Sequence, residues 1–200
     1  MISVYDLKSR FQNMLRPLCT VLANKGISAN HVTLTALALS VCYGFLLCFN
    51  IQVLWLYLPA FLFVRMGLNA IDGMLAREHN MKSKLGMALN ELGDVLSDTV
   101  LFVPFIFYAP QAAWFVAFFI FVAALNEFCG VLAFMMNGQR RYDGPMGKSD
   151  RAAATGLIGF LIGCGISLHA VLGVIFILLT LLCAWSSVNR VRGALLEGDV

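Results

Sequence analysis

The side chains most able to do chemistry in this sequence lie between Asn69 and Asp98. This stretch reads NAIDGMLAREHNMKSKLGMALNELGDVLSD and carries acids, arginine and glycines within a chain that is otherwise mostly apolar. An ionised side chain inside a membrane costs so much free energy that such residues are rare there and usually serve a site. The stretch is therefore the first candidate for a functional site.

Helical geometry groups the polar residues of this stretch on two faces. Asn69 and Asp72 are three positions apart, so they share one face of a first helix. On a second helix, at about 100° per residue, one arc collects the acids and leaves Met, Leu and Val on the other side. Measured from Asn90, that arc holds Asp94 near ~40°, Asp98 near ~80° and Glu91 near ~100°.

An acidic arc of this kind has two interpretations. Carboxylates that lie close together repel one another unless a cation joins them, and oxygen ligands suit Mg²⁺, Mn²⁺ or Ca²⁺. The alternative is a structural cluster in which Arg65 or Arg77 neutralises the acids. The combination of acids and amides on adjacent helices favours a divalent-metal site.

Small residues and an arginine accompany the acids. Gly73, Ala76 and Gly86 would let a backbone or a ligand approach closely, although small residues in membrane helices also serve helix–helix contacts. Arg77 supplies a permanently charged fork that suits phosphate oxygens. Metal ions, an arginine and a positioned base are the components needed for displacement at phosphorus.

The same stretch resembles the signature of the CDP-alcohol phosphotransferases, D-x2-D-G-x2-A-R-x8-G-x3-D-x3-D. Its spacing is intact here, but asparagine replaces the first and third aspartates. The SANHVTL run that follows the first helix also resembles the P-N-x-x-T motif of the family, so the resemblance covers nearly the whole chain. The residues at the signature positions are Asn69, Asp72, Gly73, Ala76, Arg77, Gly86, Asn90 and Asp94.

The resemblance implies a reaction. In the family, a CDP-linked lipid binds with its pyrophosphate on divalent metals, Mg²⁺ or Mn²⁺. The hydroxyl group of an acceptor alcohol then attacks the phosphate attached to the lipid, and CMP leaves. Asp94 matches the acid that activates this hydroxyl and ligates metal, and Asp72 matches another metal-binding acid. The positions that match the cytidine and phosphate pocket are Gly73, Ala76, Arg77 and Gly86.

Asn69 and Asn90 match metal ligands of the family but bring no negative charge. Three explanations stay open. Glu91 or Asp98, on the same arc, replaces the missing acids as a metal ligand. Alternatively, the site holds one metal until the pyrophosphate of the substrate supplies charge for a second. In the third explanation the protein is a catalytically weak or inactive relative.

The second half of the chain offers candidate acceptor ligands. Glu127 lies in the span FVAALNEFCGVLAF, where it either bonds across helices or meets the site and an acceptor hydroxyl. Family members with a phosphorylated polyol as acceptor bind its phosphate with a basic segment, which the KSDRA run resembles. This predicts Lys148 and Arg151 as ligands of an acceptor such as glycerol 3-phosphate or inositol phosphate, with Arg141 as a further candidate. Charge that only orients the chain in the membrane is the alternative.

The composition defines the elements that must position these residues. The 200 residues are 60% hydrophobic and 12% charged, whereas soluble domains have about 45–50% and about 25%. We therefore expect an all-α integral membrane protein, with no nucleic acid as partner. Spans of about 20 apolar residues cross a membrane. Six such segments are predicted at residues 31–49, 53–77, 85–108, 112–136, 152–168 and 171–189.

A single domain over residues 1–200 is predicted, with an interfacial helix and linker at 1–28 and a six-helix bundle at 29–193. Apolar residues at helical spacing in 4–18 alternate with basic ones, which is typical of an amphipathic helix at a membrane surface. Lysine and arginine concentrate in alternate connections. The positive-inside rule therefore places both termini and the signature loop in the cytoplasm, with a bacterial inner membrane as the expected location.

The family resemblance further implies CDP-diacylglycerol as the donor, as in most short members, and a homodimer among membrane lipids. Two other classes of function remain possible. One is a non-catalytic membrane protein that binds lipid or nucleotide. The other is a small transporter whose acids carry ions, which the clustering of the acids near one loop makes the weakest of the three.

Overall fold

The computed structural model describes the backbone of residues 4–198 and the side chains of residues 10–196, and all regular structure in this part of the chain is helical. The predicted all-α class is confirmed. A single 3₁₀ turn at Pro110–Ala112 precedes the sixth helix. The helices are α1 (Val4–Asn24), α2 (Ala29–Leu47), α3 (Gln52–Glu78), α4 (Lys84–Phe102), α5 (Pro104–Tyr108), α6 (Ala113–Asn137), α7 (Lys148–Gly163) and α8 (Leu172–Gly198).

Within the described part of the chain, four helices are long and apolar enough to cross a membrane, namely α2, α3, α6 with its preceding turn, and α8. The chain is therefore an integral membrane protein. The other two predicted spans correspond to α4, which carries one lysine and three acids, and to α7, which has 16 residues. At 1.5 Å per residue α7 reaches only about 24 Å of the ~30 Å hydrocarbon layer. That these two helices span the membrane stays a prediction.

Two predicted spans end earlier than expected. The segment 85–108 is interrupted at Val103, and Pro104 begins the short helix α5. Proline has no N–H group to continue the helical hydrogen bonds, so the chain changes direction there. The segment 152–168 ends as a helix at Gly163 and turns at Gly165, whose φ is +83°.

Glycine allows close helix packing at two places. A Cβ atom on Gly44 would collide with the backbone carbonyl of Val100, which brings α2 against α4. A Cβ on Gly163 would collide with the backbone of Leu56, which brings α7 against α3. Because apolar burial does not drive association within lipid, such close contacts are a main source of packing energy. The helices that carry the signature are thus held between α2 and α7.

The helix α1 packs against α3. The rings of Phe11 and Phe63 lie 5.7 Å apart, and the guanidinium group of Arg16 pairs with the carboxylate of Glu78 at 3.0 Å. Met14 on α1 is 78% exposed. An amphipathic helix lying in the membrane surface remains a prediction.

Two caps define the end of the bundle that carries the signature. The Ser28 hydroxyl accepts a hydrogen bond from the His31 N–H at the start of α2. The Ser83 hydroxyl accepts one from the Gly86 N–H at the start of α4. Side-chain caps of this kind satisfy N–H groups that have no partner within the helix. They fix the loop between α3 and α4 beside the start of α2.

Candidate functional site

A cavity of about 570 Å³ lies at this end of the bundle, between the first turns of α2 and α4 and the last turns of α3. It brings together all but one of the residues at the signature positions. Asp94 does not line it. The binding roles of these residues stay predictions, but their convergence on one cavity is a fact of the fold. The signature residues that line it are Asn69, Asp72, Gly73, Ala76, Arg77, Gly86 and Asn90.

Asp72 is the buried acid of the cavity, with 4% of its surface exposed. One of its oxygens, Oδ2, accepts a hydrogen bond from the Thr33 hydroxyl at 2.9 Å. Thr33 also donates to the carbonyl of Ala29, so it ties the start of α2 to the acid. No role for Thr33 was predicted, although the SANHVTL run that contains it resembled a family motif.

Asn69 presents an unsatisfied side chain to the same cavity. Its Nδ2 atom is buried and has no hydrogen-bond partner among the described residues. A buried polar group left without a partner destabilises a fold. Because the oxygen and nitrogen of an amide exchange places on rotation, this position suits either a cation or a phosphate oxygen. A ligand in the cavity would satisfy the group.

Arg77 lies over Gly73 at the rim of the cavity. A Cβ atom on Gly73 would stand 3.1 Å from the Nη1 atom of Arg77, so glycine leaves the guanidinium group its space. Arg77 is exposed and takes part in none of the ion pairs found among residues 10–196. A guanidinium fork without a carboxylate partner can bind phosphate oxygens.

Gly86 lets the start of α2 approach the start of α4. A Cβ atom there would lie 2.6 Å from the Oδ1 atom of Asn30 and 3.0 Å from the hydroxyl of Ser83. The first distance is too short for a carbon–oxygen contact, and the second is at the limit of one. The glycine at this signature position therefore lets Asn30 approach the start of α4 in the wall of the cavity. Asn30 is a second residue for which no role was predicted.

Asp94 lies beside the cavity and pairs with Lys148, the first residue of α7, whose Nζ donates a hydrogen bond to its Oδ1 atom. Both side chains are partly accessible, at 14% and 28% of their surface. Asp94 and Lys148 both act electrostatically on Asp72. The predicted base and a predicted acceptor ligand thus meet at the side of the cavity.

Deeper in the bundle, Asp98 lies between two arginines. Its Oδ1 atom accepts from Arg65 at 2.8 Å, and its Oδ2 atom accepts from Arg151 at 2.9 Å. Arg151 also donates to Glu127 at 2.8 Å and to the carbonyl of Met146 at 3.2 Å. Only 1% of Arg151 is exposed. The guanidinium N–H groups of Arg151 therefore donate to Asp98, Glu127 and Met146 inside the bundle, and Arg151 does not line the cavity.

Two more arginines extend this arrangement. Arg140 donates to Glu91 and, at 2.5 Å, to Glu127. Arg190 lies 3.8 Å from Glu127 and donates to the carbonyl of Asn126 at 2.6 Å. We call the whole group the arginine–carboxylate cluster. Its members are Arg65, Glu91, Asp98, Glu127, Arg140, Arg151 and Arg190.

The cluster bears on two interpretations of the acidic arc. Glu91 and Asp98 were candidates to replace the missing metal ligands, but both are bound to arginines and neither lines the cavity. Arg65 neutralises Asp98, as the structural alternative predicted. Among the described residues no three His, Cys, Asp or Glu side chains are placed to hold a metal ion. Glu91 is thus paired with Arg140 from the loop after α6, and Asp98 with Arg65 on α3 and Arg151 on α7.

The three residues predicted to bind the acceptor phosphate, Lys148, Arg151 and Arg141, do not lie together in the structure. Lys148 lies beside the cavity, whereas Arg151 is committed to Asp98 and Glu127. Arg141 pairs with Asp143 at 2.6 Å and donates to the carbonyl of Gly193. The hydrogen bond from Arg141 holds the pKa of the Asp143 carboxyl below its usual range. Of the three, only Lys148 is placed next to the predicted base.

The donors around the cavity fit a divalent cation by their chemistry. Asp72 and Asp94 supply carboxylate oxygens, and Asn69 and Asn90 supply amide oxygens, all of which are hard ligands. Their formal charge is two negative units, half that of four aspartates. A cation bound by these four side chains would therefore depend more on negative charge from a bound substrate than a cation bound by four aspartates would.

Comparison with known proteins adds independent findings. Residues 27–186 match the family model of the CDP-alcohol phosphatidyltransferases. The "Inner membrane protein YnbA" of Escherichia coli (strain K12) is 44% identical over 196 residues, which cover 98% of each chain. The structure of the Mycobacterium tuberculosis phosphatidylinositol phosphate synthase, solved with CDP-DAG bound, superposes with a TM-score of 0.72 at 16% identity. The match covers 89% of this chain and 92% of that one, and at this identity it shows a shared fold.

Proposed function

This chain belongs to the CDP-alcohol phosphatidyltransferase family, and from that premise we propose that it is a membrane enzyme that makes a phospholipid. It transfers a phosphatidyl group from CDP-diacylglycerol to the hydroxyl group of an acceptor alcohol and releases CMP. The observation that carries the proposal is the convergence of the signature residues, except Asp94, on one cavity with an unpaired arginine at its rim.

The donor would bind with its nucleotide end in the cavity. The Mycobacterium tuberculosis synthase of the same fold was solved with CDP-DAG bound, which supports the same class of donor here. Arg77 above Gly73 would take phosphate oxygens, and Gly86 and Ala76 would line the space for the nucleotide. The acyl chains would leave the cavity towards the surrounding lipid.

Asp94 would remove the proton from the acceptor hydroxyl. The acceptor oxygen then forms a bond to the phosphorus attached to diacylglycerol, the bond from that phosphorus to the bridging oxygen breaks, and CMP leaves with the electron pair. Lys148 would orient Asp94 through their hydrogen bond. A base must lie within reach of the proton that it accepts, and Asp94 lies on the side of the cavity that faces α7.

A divalent cation, Mg²⁺ or Mn²⁺, would be held by Asp72 and Asp94 with the amide oxygens of Asn69 and Asn90. Such a cation neutralises charge on the phosphates that react. The unsatisfied buried amide of Asn69 supports a ligand at this place. With Glu91 and Asp98 assigned to the cluster, a single cation that is completed by the pyrophosphate of the substrate is the explanation that we carry forward.

The acceptor is defined here only as an alcohol. The basic loop predicted a phosphorylated polyol, but of its predicted ligands only Lys148 lies beside Asp94. We further propose one domain with six spans, a homodimer, and a cytoplasmic site in an inner membrane. The distribution of lysine and arginine supports the orientation.

One experiment tests the proposal. Purified protein in detergent or vesicles is given CDP-diacylglycerol, Mg²⁺ or Mn²⁺ and a panel of alcohols, and CMP release and the lipid product are measured. Release that depends on both the metal and an acceptor supports the enzyme. Absence of release with every acceptor contradicts it.

A second candidate function rests on Asn69 and Asn90, which halve the charge of the signature. In that case the protein binds CDP-lipid or nucleotide without turnover. Calorimetric titration with CDP, in the presence of Mg²⁺, separates this binding protein from one that binds no nucleotide. Binding without CMP release would favour the second candidate.

A further inference from the structure

Glu127 occupies the centre of the arginine–carboxylate cluster. Its two carboxylate oxygens face three arginines from three parts of the chain: Arg151 at 2.8 Å, Arg140 at 2.5 Å and Arg190 at 3.8 Å. Arg151 and Arg190 are each 1% exposed. Three guanidinium groups directed at one anion form the arrangement that proteins use to bind a phosphate. Here a carboxylate of the protein itself takes that place.

We infer that Glu127 is a specificity-determining residue that neutralises these arginines from within, so that the acceptor of the reaction is an alcohol without a phosphate group, of the neutral polyol class. The inference rests on the proposed function, because it concerns the acceptor of that reaction. It replaces the phosphorylated polyol that the basic loop predicted from sequence.

The charge balance around the site carries the inference. Five cations lie here, namely the four arginines of the cluster and Lys148, and each is within 4 Å of a carboxylate. Four carboxylates oppose them, the three acids of the cluster and Asp94. The excess is a single positive charge. A phosphate monoester carries about −1.5 to −2 charges near neutral pH, so it would turn the site negative.

Displacement of Glu127 by an incoming phosphate is also unfavourable. Only 5% of Glu127 is exposed, so a phosphate that took its arginines would leave a buried carboxylate without partners. Removing one partner from a buried ion pair is strongly destabilising because the other charge stays buried and uncompensated. A neutral hydroxyl compound imposes no such cost, because it needs hydrogen bonds and adds no charge.

Lys148 does not change this balance. It lies beside the cavity, but its Nζ donates a hydrogen bond to Asp94, the proposed base. A phosphate that captured Lys148 would bring its negative charge next to Asp94 and Asp72. Since Asp94 must accept a proton from the hydroxyl, Lys148 is better placed to hold the base than to hold a phosphate on the acceptor.

The experiment compares matched acceptors with and without phosphate, glycerol against glycerol 3-phosphate and inositol against inositol phosphate, by initial rates of CMP release over a range of concentrations. For the unaltered protein we expect kcat/KM to be at least tenfold higher for the unphosphorylated member of a pair. In Glu127→Gln the preference should shrink at least fivefold, mainly through a lower KM for the phosphorylated acceptor. A preference of the unaltered protein for a phosphorylated acceptor overturns the inference.

Glu78→Gln is the matched control, since Glu78 pairs with Arg16 on α1, outside the cluster. It should leave the acceptor preference unchanged. If Glu127→Gln does not fold, the milder Glu127→Asp, which retains the charge, should keep the preference of the unaltered protein. A loss of preference in Glu78→Gln to the same degree as in Glu127→Gln would contradict a specific role for Glu127.

A binding measurement keeps the inference separate from the proposed function. Calorimetric titration of the unaltered protein with glycerol 3-phosphate or inorganic phosphate does not depend on turnover. Absence of binding at millimolar concentration supports the inference even if no acceptor yields CMP, a result that would remove only the enzyme proposal. Submillimolar binding of either probe, abolished by Arg151→Gln or Arg190→Gln, contradicts it.

Discussion

Lys148 at the start of α7 donates a hydrogen bond to Asp94 in the middle of α4, across 54 positions of sequence. This contact joins the signature to the second half of the bundle, because Asp94 is the one signature residue outside the cavity lining. The partner of the proposed base therefore comes from a helix that the signature does not include. The predictions below follow from this contact and from the cavity beside it.

Replacing Asp94 with asparagine should reduce CMP release by roughly 10²–10⁴-fold, the usual contribution of a general base. The amide keeps the size of the side chain but cannot accept the proton. CDP binding, measured by calorimetry without the divalent cation, should change little, since Asp94 does not line the cavity. Asp150→Asn, which makes the same chemical change at an exposed position of α7, is the control. Unchanged release in Asp94→Asn would remove this residue from the role of base.

Replacing Arg77 with lysine should weaken CDP binding about tenfold or more, because lysine offers a point charge in place of a two-pronged donor. The variant keeps its charge, so folding should be unaffected. Calorimetric titration with CDP and a thermal unfolding curve provide the two measurements. Equal affinity in the variant would mean that Arg77 does not contact the phosphates.

Replacing Gly86 with alanine should lower the stability of the protein by about 1 kcal/mol and lower CDP affinity, because the new methyl group would stand 2.6 Å from the Asn30 Oδ1 atom and the Asn30 side chain must turn away. Thermal unfolding in detergent measures the first effect. The control is Gly67→Ala on α3, where a Cβ atom would meet only the ring of Phe11 at 3.9 Å. If both variants lose the same stability, the contact with Asn30 is not the cause.

Replacing Asp98 with asparagine should lower the free energy of unfolding by roughly 3–5 kcal/mol, because Arg65 and Arg151 would be left buried with reduced compensation. The Mg²⁺ or Mn²⁺ concentration that gives half-maximal CMP release should stay the same in the folded fraction. A shift of that concentration without loss of stability would instead return Asp98 to the set of metal ligands.

Restoring the two missing acids should strengthen metal binding. In the double variant Asn69→Asp, Asn90→Asp we expect the half-saturating Mn²⁺ concentration to fall about tenfold or more, since the charge of the ligands sets affinity for hard cations. Direct titration with Mn²⁺ gives the same quantity without turnover. An unchanged value would place the cation away from Asn69 and Asn90.

Local patterns were sufficient for much of the fold and the cavity. Apolar segments predicted the four helices that meet the criteria for a membrane span. The three-residue spacing of Asn69 and Asp72 predicted that they share one face of a helix, and the resemblance to the family signature implied that Asn90 joins them in one site. The segment 85–108 was predicted as one span because its hydrophobicity is continuous. Pro104 was the signal in the sequence that could have predicted the break.

The sequence by itself determined the family resemblance, the all-α membrane character and seven of the residues that line the cavity, since these depend on short-range spacing and composition. Tertiary structure alone decided what the acids of the arc do. The helical wheel placed Glu91 and Asp98 beside Asp94, but it could not say which helix lies opposite each side chain. Arg140 and Arg151, 49 and 53 positions away, meet these two acids in the folded bundle. A buried carboxylate is stabilised by whichever cation the packing brings to it, and that depends on contacts between distant parts of the chain.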